Sequence, residues 1–366
     1  MRLDFGPEPN FGNLGYLATS PPRRGATREQ KVLAGLAAGA ALALIGSRIA
    51  RARRGIDFGG RNVVITGGSR GLGLVLARKF AAQGARLALL ARDELELDRA
   101  KRLLEEEFGG EVMAVRCDIR NKADVTAAVM KMLDTWTTID VLVNNAGVIQ
   151  VGPLEHMQHE DFENAMATHF WGPLNLMLEV VPVMRRRGFG RIVNISSIGG
   201  RIAVPHLAPY AASKFALRGL SESMRAELAP HGVLVTTVSP GLMRTGSPMN
   251  AQMKGQHEAE YAWFAIADSL PGMTISAERA ADQILSACAH GDPELIITLQ
   301  ARAAAMMNEI APNLTARLTS LAGRMLPGPN GPEGDRVRRG RESGSKWAPS
   351  VATTLSDRAA VMNNEA

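Results

Sequence analysis

The residue pattern between position 61 and about position 300 predicts an α/β fold, and three observations carry that reading. Short β-branched runs alternate with helix-period stretches along this whole region. The first of these runs enters a glycine-rich turn, then a helix, then a second strand, which makes a βαβ unit. A later strand ends in Ser196-Ser197 and is followed by a helix carrying Tyr210 and Lys214 four residues apart.

Taken in order, residues 1–30 are Gly/Pro-rich and read as irregular. Val32–Gly46 is uncharged, with Lys31 before it and Arg48, Arg51, Arg53 and Arg54 after it. The spacing predicts a helix over 32–50, and its flanking cations make it a candidate membrane anchor, although a spanning helix needs roughly 20 apolar residues. A surface helix, a cleaved leader near Ala50-Arg51-Ala52 and a twin-arginine signal at Arg23-Arg24 are the competing readings. Arg61–Thr66 (RNVVIT) is the first strand. Thr66-Gly67-Gly68-Ser69-Arg70-Gly71-Leu72-Gly73 forms the turn, and the helix after it runs to Gly84. Glycine there lets a backbone approach a pyrophosphate, and the helix N-terminus offers free N–H groups and positive dipole.

The second strand, from Arg86, ends at Leu90-Ala91-Arg92. An NAD-selective site places an acid at this point, whereas this chain has Ala91, with Arg92 next and Arg70 in the turn. Two guanidiniums suit a 2′-phosphate, so NADP(H) is expected over NAD(H). Asp93–Phe108 reads as a helix and Val112–Arg116 as the third strand, ending Cys117-Asp118-Ile119. Lys122–Trp136 is a helix, and the fourth strand runs into Asn144-Asn145-Ala146-Gly147. Asp161–Arg187 is a long helical stretch with Pro182 near its end. Val233–Val238 is the sixth strand, leading to Pro240-Gly241 and Thr245. Methionines and aromatics over 248–276 suit a mobile loop around an apolar pocket. A helix over Ala277–His290, a seventh strand from Glu294, and two amphipathic helices, Ala301–Ile310 and Leu314–Met325, follow. Pro327–Ser345 is expected to be mobile.

Composition narrows the functions. The only cysteines, Cys117 and Cys288, give no disulfide framework and favour a reducing compartment. No histidine cluster completes a metal site; His156 and His159 read as ordinary helix-start residues. The net charge of +6 sits mainly on residues 1–57, with nine basic and four acidic side chains, while residues 58–326 are neutral. A nucleic-acid-binding core carries a basic face, so that class is disfavoured; a basic arm beside an apolar run suits a membrane surface.

Four motifs occur together: Thr66–Gly73, Asn144–Gly147, Ser197 with Tyr210-x-x-x-Lys214, and Pro240-Gly241. In this order and on these elements they resemble the classical short-chain dehydrogenase/reductase family over about residues 58–300. The resemblance implies a Rossmann-type, doubly wound, mostly parallel seven-stranded sheet. It also implies hydride exchange with a carbonyl or secondary alcohol, with Tyr210 moving the proton, Ser197 holding the substrate oxygen, and Lys214 lowering the Tyr pKa and gripping the nicotinamide ribose. Asp118 and Ile119 would border the adenine, Pro240, Gly241 and Thr245 the nicotinamide, and Asn144, Ala146 and Gly147 the cofactor and the sheet beneath it. His169 stands where the family has an Asn that anchors a water on the catalytic Lys, so an imidazole-held water or a structural role is expected. Pairing of the two helices after strands four and five implies a homodimer or homotetramer. The expected organisation is an arm over 1–57, the catalytic domain over 58–300, helices over 301–326 and a flexible tail over 327–366. The rival reading is a non-catalytic NADP-binding sensor or scaffold.

Overall fold

The computed structural model describes residues 28–270, 272–350 and 353–365. The irregular stretch and arginine pair expected in the first 27 residues lie outside these. The chain divides into two units, Met1–Ala50 and Arg51–Ala366. Helix α1 covers Arg28–Arg53, as the spacing predicts. Among the described residues no helix is long and apolar enough to cross a membrane, which corrects the spanning reading of 32–50. The reason lies in the run itself, where alanine and glycine contribute little apolar area per turn.

The larger unit is built on a seven-stranded sheet. Its strands are β1 (Asn62–Thr66), β2 (Arg86–Ala91), β3 (Val112–Arg116), β4 (Val141–Asn144), β5 (Gly190–Ile195), β6 (Val233–Pro240) and β7 (Glu294–Ile297). Their spatial order is β7-β6-β5-β4-β1-β2-β3. Every pairing is parallel, with Thr66 opposite Leu90, Asn144 opposite Asn194, and Ile195 opposite Val238. Strand order reverses at β1, which has β2 on one side and β4 on the other. That switch point opens a crevice beyond the C-terminal strand ends, where ligands bind in such sheets.

Both faces of the sheet are covered, so its central strands are hydrophobic throughout rather than alternating. Side-chain direction still alternates. Val63, Ile65, Leu87 and Leu89 pack on one face under helices α2 (Gly71–Ala81) and α3 (Glu94–Phe108). Val64, Ala88, Leu90 and Leu142 pack on the other, with α4 (Lys122–Trp136) and the helix over Gly172–Arg187. Two of these helices start at capping side chains that the sequence shows. Asp93 accepts from Glu96 N–H, and Asn121 accepts from Ala123 and Asp124 N–H. The long stretch after β4 is interrupted: α5 (His159–Met166) passes through a π turn, Ala167–Trp171, into α6 (Gly172–Arg187). Helix α7, Ala208–Leu228, carries Tyr210 and Lys214.

Two regions differ from the sequence expectation. The supposed mobile loop over 248–276 contains helix α8, His257–Ala267, with Tyr261 and Met253 buried in a third apolar cluster beside Val151 and Leu207. The stretch expected to be mobile from Pro327 is folded onto the larger unit. Arg338–Arg339 pair antiparallel with Gln252–Met253, which pair parallel with Gln150–Val151. His156 helps hold it there, since Nδ1 faces Asp335 Oδ1 at 2.8 Å and Nε2 accepts from Asn330 N–H at 2.9 Å. Helices α9 (Ala277–His290), α10 (Leu299–Ile310) and α11 (Pro312–Gly323) match the expected ones closely, and α12 (Thr354–Met362) lies beyond them.

Candidate active site

A cleft of about 660 Å³ lies along the C-terminal ends of β1, β2, β4, β5 and β6. Its floor is the glycine turn. Gly71 adopts φ +55, a conformation that side chains disfavour, and starts α2 with its N–H directed out of the helix. Gly73 packs so closely on the Gly67 carbonyl that a Cβ has no room. Thr66 does not line the cleft. It is buried, and its Oγ1 accepts from the N–H groups of Asn145 and Ala146 at 2.9 and 3.0 Å, tying the end of β1 to the turn after β4. Asn145, which sequence reasoning passed over, completes that joint by donating Nδ2 to the Thr66 and Gly67 carbonyls.

Asn144 is a correction to the cofactor-contact expectation. It points beneath the cleft and donates Nδ2 to Asn194 Oδ1 at 2.8 Å, and Asn194 in turn donates to Ser221. This buried network joins β4, β5 and α7 under the site. Ala146 and Gly147 do line the cleft, as do Gly67, Ser69, Arg70 and Leu72 from the glycine turn.

At one end of the cleft stand Arg92, Asp118 and Ile119. The Arg120 guanidinium hydrogen-bonds Asp118 and holds its carboxyl below the usual range, with Arg92 adding a smaller pull in the same direction. Arg70 is already engaged: its NH1 lies 3.4 Å from Glu96 Oε1. Cys117 also borders this end, but burial pushes its thiol up to about 12, so it brings no nucleophile.

At the other end Ser197, Tyr210 and Lys214 converge, with Pro240, Gly241 and Thr245 across from them. Ser197 closes β5 and starts a 3₁₀ turn, and its Oγ accepts from Gly199 N–H at 3.0 Å. Its own proton is therefore free to be directed at the phenol or a ligand. The Tyr210 phenol hydrogen-bonds Ser197, and burial outweighs that bond, raising its pKa above the ordinary value. Lys214 Nζ lies 5.6 Å from the Tyr210 ring centre and donates to the Ile195 carbonyl at 2.8 Å. Burial brings the ammonium down to about 7. The expectation that a full cation beside the phenol lowers its pKa is thus not met, because desolvation acts on both groups.

His169 sits at the π turn, fully buried. Val148 N–H donates to its Nε2 at 3.1 Å, which places the ring proton on Nδ1. That Nδ1–H donates to Ser213 Oγ at 2.7 Å, and Ser213 donates to the Tyr210 carbonyl at 2.8 Å. Burial first, and Lys214 second, push its pKa well below the usual value, so the ring is neutral. Both nitrogens are occupied by protein groups. His169 therefore holds no water toward Lys214 through its ring, and instead ties the loop after β4 to the start of α7.

The sequence comparisons settle the family. The short chain dehydrogenase family model matches residues 61–256, more than half of the chain. The chain belongs to the short chain dehydrogenase family. It is 32% identical over 274 residues to a fatty acyl-CoA reductase of Acinetobacter baylyi, covering 73% of this chain and 86% of that one. L-sorbose reductase from Gluconobacter frateurii, solved with NADPH and L-sorbose, superposes with a TM-score of 0.60 at 27% identity, covering 66% of this chain and 97% of that chain. A family member from Burkholderia phymatum, solved with NAD, gives a TM-score of 0.65 at 26% identity, covering 71% and 96%. As a short chain dehydrogenase, the protein is an NAD(P)-dependent oxidoreductase.

Proposed function

We propose that this enzyme exchanges a hydride between NADP(H) and the carbonyl or secondary alcohol of an apolar substrate. The observation that carries the proposal is the convergence of Ser197, Tyr210 and Lys214 at one end of the cleft, opposite Pro240 and Gly241. The residues present fit a dinucleotide. The turn through Gly71 offers backbone N–H groups at the start of α2, and Ala91 places no carboxylate at the end of β2. Arg92, Arg70, Asp118 and Ile119 would hold the adenosine 2′-phosphate and base, Ala146 and Gly147 the middle, and Thr245 the nicotinamide end.

When bound, NADP(H) supplies or accepts the hydride at the substrate carbon. In the reducing direction, Tyr210 gives its phenolic proton to the substrate oxygen as the C–H bond forms. Ser197 donates a hydrogen bond to that oxygen while it gains negative charge. Lys214, protonated, stabilises the phenolate left behind; proton return from solvent resets the site.

The wall near Tyr210 supports the apolar part of the proposal. Val148, Ile149 and Ala251 line the cleft there, backed by the cluster that includes Tyr261 and Met253. The similarity to a fatty acyl-CoA reductase points the same way. A screen of long-chain and ring ketones and aldehydes against polyol-derived sugars, following NADPH absorbance, tests this. Turnover of sugars alone overturns the apolar reading, and turnover with NADH at equal efficiency overturns the cofactor preference.

A further inference from the structure

The glycine turn that should receive a pyrophosphate is covered by the chain itself. The Asn363 carbonyl accepts the Gly71 N–H at 2.8 Å, taking the outward N–H at the start of α2. Asn364 Nδ2 donates to the Ser69 carbonyl at 3.0 Å. The Glu365 carboxylate lies over Gly71, in the space that the absent side chain leaves. It accepts from Asn250 Nδ2 at 2.6 Å and lies 3.7 Å from Arg70 Nε. On the opposite wall Asn363 Nδ2 donates to the Thr245 carbonyl at 3.3 Å. The segment thus straps the two walls of the cleft together. Helix α12 leads into it, anchored by buried Ala359 and Ala360 and by Ser356 bonding Asp268.

The Asn363 carbonyl and the Glu365 carboxylate are hydrogen-bond acceptors, the second of them charged, and so are the oxygens of a pyrophosphate. The carbonyl takes the Gly71 N–H at the helix start, and the carboxylate occupies the space above it, where a pyrophosphate would also lie. The carboxylate and a pyrophosphate also repel one another, so they do not share the site. Burial already raises the Glu365 pKa, against a smaller pull from Arg70, so the docked carboxylate is held at some cost.

We propose that residues 362–365 are an internal stand-in for the pyrophosphate, and that their docking competes with the dinucleotide and sets its apparent affinity. This rests on the reading that the turn holds NADP(H). If about nine-tenths of molecules are docked, removing the contacts tightens NADPH binding about tenfold.

The test uses the full chain, wild type and the double variant Glu365→Ala/Asn364→Ala, with folding checked by circular dichroism. NADPH titrations should show severalfold to tenfold tighter binding by the variant. Hydrogen exchange on wild type gives a second readout that needs no variant. Saturating NADPH should slow exchange at 66–73 and speed it at 354–365. Equal affinities with unchanged exchange at 354–365 would overturn the competition. Slower exchange there would also overturn it, because the segment would then be closing over the cofactor. No binding of NADPH or NADH by either folded protein would sink the dinucleotide reading and the competition with it. Tight wild-type binding without competition would leave the dinucleotide reading standing.

Discussion

Tyr210 and Lys214 share a desolvated corner in which burial works against the charged form of each. Replacing the phenol tests the first of the pair. Tyr210→Phe should lower kcat by roughly a hundredfold or more while NADPH affinity stays within a small factor, as expected for loss of a general acid. Comparable turnover would remove Tyr210 from the mechanism. Lys214 gives a pH signature. Its folded pKa of about 7 lies below the ordinary 10.5. Below the folded value both folded and unfolded chains carry the proton, and the burial cost is fully felt. Between the two values the unfolded chain keeps a proton that the folded chain has released, so stability rises with pH, by at most about 1.4 kcal/mol per unit. Urea titrations across that window should show this rise in wild type and its loss in Lys214→Met; parallel curves would mean the buried amine is neutral throughout or solvated. His169 is the third test. Leucine there leaves the Val148 N–H and Ser213 hydroxyl without their partner and should lower kcat about tenfold or more through misplacement of Tyr210, while asparagine restores much of it. A Leu variant with unchanged kcat would make the imidazole a packing group. The placing of Tyr210 and Lys214 together was legible in the sequence because i and i+4 share a helix face whatever surrounds them. The partners of His169 and the role of Asn145 were not, because each depends on which turn lies across from which strand.

The elements that were readable share one property: their stability is decided locally or by plain burial. β1, β2 and β4 are apolar on both faces, so no register error could hide them, and Asp93 and Asn121 announce the helices they cap. What escaped were elements that exist only through tertiary pairing. The two-residue strands at 150–151, 252–253 and 338–339 have no length to show a period. The π turn at 167–171 inserts a residue into a run that reads as one helix. The segment after Pro327 is polar and Gly-rich, hence read as mobile, yet polar contacts to the buried His156, such as that of Asp335, fix it. At this scale the end of β2 makes its own prediction. Arg70 is already paired with Glu96, whereas Arg92 lines the cleft with no ion pair to a carboxylate among the described residues, so Arg92 should carry more of the selectivity. Arg92→Ala should narrow the NADPH-over-NADH affinity ratio more than Arg70→Ala does, each lost charge-assisted contact being worth roughly 1.5–3 kcal/mol before solvent screening. Paired fluorescence titrations measure both; a ratio untouched by Arg92→Ala would move the 2′-phosphate elsewhere.

For the whole molecule the open question is what covers the outer face of α6 and α7. Trp171, at the end of the π turn, is 52% exposed, Leu178 57% and Phe215 42%. Trp171 and Leu178 are seven residues apart and so point the same way along one helical run. On α7 the exposed neighbours of Phe215 are Ala212 and Gly219, and nothing lies within 4 Å of where a Gly219 side chain would begin. Small residues flanking one aromatic let a second helix approach closely. A second copy of the chain presenting the same face satisfies both surfaces at once, since a two-fold axis brings each patch onto itself. We therefore predict a homodimer, or a tetramer containing it, held through α6 and α7. Light scattering should give at least twice the chain mass, and Leu178→Asp/Phe215→Asp should shift it to the monomer and make thermal stability independent of concentration, which in the parent it should not be. A wild-type protein that scatters as a monomer at every concentration would leave this face to some other partner. Because the same helix α7 carries Tyr210 and Lys214 on its inner side, the dissociated variant should also lose turnover, and restoring mass without restoring turnover would separate assembly from catalysis.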